Sequence, residues 1–182
     1  MNTIYTVSKK GGNNGALWNG SHPEKFFSEM HKAGVKRFID VRRSPNSMYG
    51  SFFDTAIFKW CCEHDAFGFE HRLDLAPAPE LFKQCDDEHW DLFQYAQAYF
   101  TSDIVKALNT IPLEGLDGTA ILCAEQELYN CHRVLVAEFL KAKYKDVEIV
   151  HLGLAYNRYG MEKGAVPLEA MARTRQLIQS LL

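Results

Sequence analysis

Short apolar, β-branched runs alternate along this chain with longer segments of helical period. That alternation is the pattern of a parallel sheet flanked by helices. Thr3 to Val7 reads as the first strand, followed by the irregular glycine-rich loop Ser8-Lys-Lys-Gly-Gly-Asn-Asn-Gly15. Ser21 is expected to cap a helix, with Glu24 three residues on as its capping-box partner. Lys36 to Arg42 reads as a second strand running into Arg43-Ser-Pro-Asn-Ser47, where Pro45 stops regular pairing. Asp54 caps a predicted helix to about Glu63, Phe67 to Leu73 forms a short strand, and Pro77 and Pro79 mark the next break. Trp90, Phe93, Phe100, Ile104 and Leu108 recur at helical spacing and predict one long amphipathic helix from Trp90 to Leu108. Gly118 to Ala124 is the clearest strand, and a helix starting at Asn130 or a neighbour turns Leu135, Val136, Phe139 and Leu140 inward. Val147 to Leu152 is a final strand and Leu168 to Leu182 a terminal helix. The predicted fold is therefore α/β: a mostly parallel sheet with helices on both faces, a Rossmann-like three-layer arrangement in a single domain, 1–182.

Composition narrows this picture. With 182 residues, 47% of them hydrophobic, the chain can bury one sizeable core, whereas two independent domains would each be marginal. Charged residues make up 24% and the formal net charge is -3, so any attraction for phosphate has to be local. The start Met1-Asn-Thr-Ile-Tyr-Thr-Val lacks the basic, apolar profile of a secretory leader. No run approaches the ~20 apolar residues that span a bilayer. A cytoplasmic location without membrane partners is expected. Five cysteines, Cys61, Cys62, Cys85, Cys123 and Cys131, fit reduced thiols better than a disulfide framework.

Candidate chemistry gathers at the predicted carboxyl ends of strands, where open parallel sheets bind their ligands. Asp40 and Arg42 end the second strand, Cys123 and Glu125 the Gly118 strand, and His151 the last one. Cys131, His132 and Arg133 fall in the first turn of the following helix. Basic residues are unfavourable there for the helix alone, so Arg133 is explained by an anion, either a bound phosphate or carboxylate or an internal Asp40 or Glu125. Asp40 or Glu125 could serve as general base or nucleophile, with Arg42 and Arg133 clamping an anion and His132 donating a proton. The purely structural alternative is a buried Asp40–Arg133 or Glu125–Arg42 ion pair tying loops to the sheet.

The same helix position makes Cys131 a candidate low-pKa thiol with His132 beside it, whereas Cys123 reads as core. The spacing is not the Cys-x5-Arg of phosphate-cradling thiol enzymes. Zinc held by Cys123, Cys131, His132 and His151 is chemically feasible but lacks paired Cys-x2-Cys or His-x3-His spacing, so no metal ligand is assigned. Lys10 sits in a loop whose backbone N–H groups could cradle phosphate, although it matches neither a P-loop nor the dinucleotide-binding fingerprint.

The N-terminal Ile4-Tyr-Thr strand, Asp40-Val-Arg42 with Pro45 and Ser47 behind it, and Cys123-Ala-Glu125 followed by Cys131-His-Arg133 together resemble the family called domain of unknown function 488, over about Thr3 to Leu152. The resemblance implies a compact α/β domain with a polar site at Asp40, Arg42, Pro45, Ser47, Cys123, Glu125, Cys131, His132 and Arg133, and a role leaning toward nucleotide or nucleic-acid metabolism. The chain departs from that pattern in Met48, where a basic residue commonly follows the serine, and in Leu75-Ala-Pro-Ala-Pro79, which replaces a glycine-rich turn.

The function expected from these residues is a hydrolase-like enzyme acting on a phosphate-bearing small molecule or a nucleic-acid end. Asp40, Glu125, His132 and Cys131 are its catalytic candidates; Arg42, Arg133, Ser47 and Lys10 are its substrate-binding ones. No cofactor is expected, with a divalent metal left open. Two alternatives stand beside it: a non-catalytic nucleotide or nucleic-acid binding module, and a cysteine-dependent thiol enzyme or redox sensor. The pattern carries no signal for oligomeric state.

Overall fold

A computed structural model describes residues 1–9, 22–44, 51–125, 128, 131–152 and 166–182, with the side chains of Phe82 and Asp86 excepted. Among the described residues five strands form one sheet: β1 (Asn2–Ser8), β2 (Arg37–Asp40), β3 (Gly68–His71), β4 (Thr119–Cys123) and β5 (Val147–His151). Their order is β3-β2-β4-β1-β5 and every pairing is parallel. The helices are α1 (Pro23–Ala33), α2 (Thr55–His64), α3 (Pro79–Asp87), α4 (Leu92–Tyr99), α5 (Ser102–Asn109), α6 (His132–Tyr144) and α7 (Leu168–Leu181). The result is the three-layer α/β fold that the alternating pattern predicts.

Strand side chains alternate between two cores, as a period of two demands. Phe38, Ala120 and Leu122 join Val7 and a dense phenylalanine cluster, Phe26, Phe27, Phe53, Phe58 and Phe67, supplied largely by α1 and α2. Ile4, Ile39, Ile121 and Cys123 face the other way, onto α4, α5, α6 and α7. β4 lies between β2 and β1 and is buried at every position, so it reads as a continuous apolar run rather than an alternating one. No helix among the described residues is long and apolar enough to cross a membrane.

Four of the differences from the sequence reading each have a local reason. β2 ends at Asp40 rather than Arg42: Val41 N–H still reaches the Leu122 carbonyl at 3.1 Å, but the Arg42 N–H turns back to the Asp40 carboxylate. α1 starts with Pro23 at its first position, which a missing N–H suits, and His22 rather than Ser21 stands at the cap without a side-chain bond. Ser21 itself lies outside the described residues. Pro79, read as a break, instead opens α3, a helix the pattern did not predict. The long Trp90–Leu108 helix is two helices, α4 and α5.

That last break is built by two caps. Asp91 and Gln94 form a reciprocal capping box at the start of α4, and the Thr101 hydroxyl accepts the Ile104 N–H to restart the chain as α5. Phe100 between them still packs against the core, which keeps the apolar period running through a backbone that is no longer helical. Replacing either cap should loosen its own helix: Asp91→Ala and Thr101→Ala are each expected to cost about 1 kcal/mol. The measurement is the urea midpoint, and an unchanged midpoint for both would mean the break does not depend on these caps.

Candidate functional site

The connections leaving β2 and β4 depart to opposite faces of the sheet. From β2 the chain passes to α2, on the phenylalanine side; from β4 it passes to α6, on the other. Because β2 and β4 are adjacent, their carboxyl ends flank a topological switch point, where open α/β sheets leave a crevice. A cleft of about 310 Å³ lies there, lined by Arg42, Arg43, Ser44, Pro77, Pro79, Cys123, Ala124, Glu125 and His132.

Of the residues nominated from sequence, Arg42, Glu125 and His132 line this cleft, and Cys123, assigned to the core, lines it as well. Asp40, Cys131 and Arg133 are buried and do not. His151, two strands away at the end of β5, holds the Thr6 hydroxyl through Nδ1 at 2.7 Å. Lys10, Pro45, Ser47 and Met48 lie outside the described residues.

Asp40 is fully buried and spent on Arg42. Its Oδ1 accepts the Arg42 Nε–H at 2.8 Å and the Arg42 backbone N–H at 3.1 Å, and its Oδ2 accepts Nη2 at 2.6 Å. This two-pronged contact between side chains two positions apart stands in place of the Asp40–Arg133 pair offered as one structural alternative in the sequence. Residues i and i+2 project to the same side of an extended chain, which brings this pair together before any tertiary contact is made. The guanidinium carbon also stands 5.9 Å from the centre of the Phe53 ring. Arg42 Nη1 is buried and has no hydrogen-bond partner among the described residues.

Arg133 is equally buried, and its Nη1 donates to the Glu125 backbone carbonyl at 2.6 Å. It therefore tethers the β4–α6 loop and stands behind the cleft rather than in it. Arg43 was not singled out in the sequence; its Nε and Nη2 donate to the Pro77 and Ala76 carbonyls at 2.6 and 3.0 Å and hold the proline segment as the opposite wall. The only signal for it was its place beside Arg42. Pro77 and Pro79 were legible as punctuation but not as lining.

α6 opens with Cys131 at its cap and His132 as its first helical residue. His132 Nε2 lies 2.9 Å from the Val41 carbonyl. A carbonyl only accepts, so Nε2 carries a proton, and in the neutral ring Nδ1 is then the acceptor. The Cys123 sulfur is 3.9 Å from both ring nitrogens, and the donor atoms of Cys123, Cys131 and His132 all lie within 4.8 Å of one another. Burial by itself would raise the Cys123 thiol, but Cys131, His132 and Arg133 outweigh it and hold Cys123 well below the ordinary thiol value. Cys131, buried and facing Cys123, is pushed well above. Within this pair it is thus the Cys123 thiol that is lowered, first by its hydrogen bond with Cys131 and then by His132 and Arg133, and not the Cys131 thiol singled out in the sequence. Burial lowers His132, yet the Cys123 sulfur and the Val41 carbonyl leave it raised overall.

The Asp40–Arg42 pair gives a direct stability test. Asp40→Ala strands a buried guanidinium and should cost about 3–5 kcal/mol. Asp40→Ala combined with Arg42→Met removes both charges and should recover much of that loss. Urea denaturation of both variants reads the difference; equal instability of the single and double variants would deny that the pair is coupled.

Searches of curated proteins and of solved structures returned no match to this chain. A family match covers residues 22–140, from the start of α1 into α6, narrower than the resemblance read from Thr3 to Leu152 but including both the Asp40–Arg42 and the Cys123–Arg133 segments. On that match, the chain belongs to the family described as Domain of unknown function DUF488.

Proposed function

We propose that this chain is a hydrolase-like enzyme acting on a phosphate-bearing small molecule or nucleic-acid end bound in the cleft between the carboxyl ends of β2 and β4. The observation that carries this reading is the meeting of Glu125 and Arg42 on one cleft wall system at a switch point of the sheet. Arg42 is held rigid by Asp40, and its Nη1 retains a hydrogen-bond donor that nothing among the described residues accepts. A phosphate oxygen supplies such an acceptor. Asp40 then acts as a positioning residue for Arg42 and not as the base, since both its oxygens are occupied and it does not reach the cleft.

Glu125 is the carboxylate that lines the cleft, and proton transfer is assigned to it. It takes a proton from a water molecule whose oxygen attacks phosphorus; the bond from phosphorus to the leaving oxygen breaks, and Glu125 returns the proton to that oxygen. A binding module would need the Arg42 side of the cleft and not Glu125. A thiol enzyme in this cleft would run through Cys123 rather than Cys131, because only Cys123 lines it.

The test is turnover of p-nitrophenyl phosphate, bis(p-nitrophenyl) phosphate, nucleoside monophosphates and 5′-phosphorylated oligonucleotides by the purified chain. Glu125→Gln should lower kcat by about 10²–10⁴-fold with KM little changed, the range for loss of an acid–base group. Arg42→Lys, which keeps the charge but loses the fork, should raise KM. Ligand-induced thermal stabilisation without turnover, undiminished in Glu125→Gln, would replace the enzyme by a binding module. Turnover that survives Glu125→Gln would overturn the role given to that carboxylate.

A further inference from the structure

We infer that Cys123, Cys131 and His132 form a binding site for a single thiophilic divalent ion, of which Zn²⁺ is the chemical type, with its open coordination position facing the cleft. The ion's place in catalysis rests on the hydrolase reading above; its binding does not. Paired sequence spacing gives no hint of this site, and His151, the fourth ligand considered from sequence, is far from it and bonded to Thr6. The tertiary fold assembles the three donors from two places, the last residue of β4 and the cap and first turn of α6.

Three observations support metal over a packed thiol pair. The donor set is two sulfurs and one imidazole nitrogen, the set that zinc prefers, with all donor atoms within 4.8 Å of one another. His132 is held as a ligand is: Nε2–H donates to the Val41 carbonyl at 2.9 Å, which fixes the ring and leaves Nδ1 as the nitrogen able to bind an ion, with the Cys123 sulfur 3.9 Å from each ring nitrogen. Charge also balances, since two thiolates and a dication are neutral, so a fully buried trio can hold the ion without an uncompensated charge.

The count of donors indicates the kind of site. Closed structural zinc sites take four protein ligands, whereas three leave a position for water or substrate. Cys123 and His132 line the cleft and Cys131 lies behind them, so the fourth position opens beside Glu125 and Arg42. A water molecule there is acidified by the ion and passes its proton to Glu125, giving a hydroxide whose oxygen forms the bond to phosphorus while the leaving oxygen departs with the returned proton.

Metal content of protein purified without chelator, followed by chelation and titration of the apoprotein with Co²⁺, tests this independently of activity. About one zinc per chain is expected, and Co²⁺ should give thiolate-to-cobalt charge-transfer bands with tetrahedral ligand-field absorption. Cys123→Ser, Cys131→Ser and His132→Ala should each weaken Co²⁺ binding by more than about a hundredfold, beyond the loss typical of an outer-shell change. Cys85→Ser and Glu125→Gln should keep full stoichiometry. If a ligand variant fails to fold, the wild-type spectrum decides: no charge-transfer band on adding Co²⁺, or bands that persist in folded Cys131→Ser and His132→Ala, overturns the site. Stoichiometric metal without phosphate turnover leaves the site standing and removes the hydrolase reading; Glu125-dependent turnover in a metal-free protein keeps the hydrolase reading and overturns the ion's part in it.

Discussion

Parallel pairing of β4 on both of its edges is the constraint from which the site follows. β1 binds one edge through Ile4↔Thr119 to Ser8↔Cys123, and β2 binds the other through Arg37↔Thr119 to Asp40↔Leu122. With both edges taken, β4 has no freedom of register, and a one-residue slip would exchange Ile121 and Cys123 with Ala120 and Leu122 between two differently shaped cores. Cys123 is the last residue so locked, and even its carbonyl is held, by the Lys9 N–H at 3.0 Å. The chain is released from the sheet only at Ala124 and Glu125, so the position of Glu125 is set by a strand that cannot move.

A second consequence is electrostatic. The end of the sheet buries Asp40, Arg42, His132 and Arg133 together, which an apolar core would resist. Each has an identifiable offset: Asp40 and Arg42 neutralise each other, His132 donates to Val41, and Arg133 donates to Glu125. These bonds all run to the backbone or side chains of the two segments that leave β2 and β4. Arg72 adds to this from outside β3, its N–H bonding the Asp40 carbonyl at 2.8 Å, and His71 Nε2 lies 2.9 Å from the Arg42 carbonyl. The polar groups thus fix loop geometry at a place where regular strand pairing has run out.

The fold was readable because its signals are local. Runs such as Thr119–Cys123 and the β-branched edges of β1 and β5 need no knowledge of their neighbours to be recognised as strands. The α4–α5 break was not read because Phe100 satisfies the apolar period while Thr101 quietly supplies a cap, and α3 was lost because a proline at a helix's first position looks the same as a proline that ends one. At the site, Arg42, Glu125 and His132 were found by their place at element ends. The roles of Asp40 and Cys123 were not, since they depend on which of several buried groups each one faces. On paper Asp40 was paired with Arg133, and only the direction of the Arg42 side chain decides for Arg42 instead.

The same reasoning bears on why Cys123 and Cys131 should be more than packing. Two adjacent buried thiols need only weak contacts with each other, and any apolar pair of similar size would fill the volume. A buried imidazole is different: it must be given a partner for each nitrogen, and here Val41 serves Nε2 while the Cys123 sulfur lies 3.9 Å from both nitrogens. An imidazole packed beside two thiols at the rim of a cleft is costly as mere core, because a leucine would pack there without any polar obligation. The obligation is met in full if the nitrogen and both sulfurs share one cation, and that cation then stands where Glu125 and Arg42 open onto the same space. Burial, which counts against each of these groups individually, becomes an advantage once they act as a set, because it excludes the water that would otherwise compete for the ion.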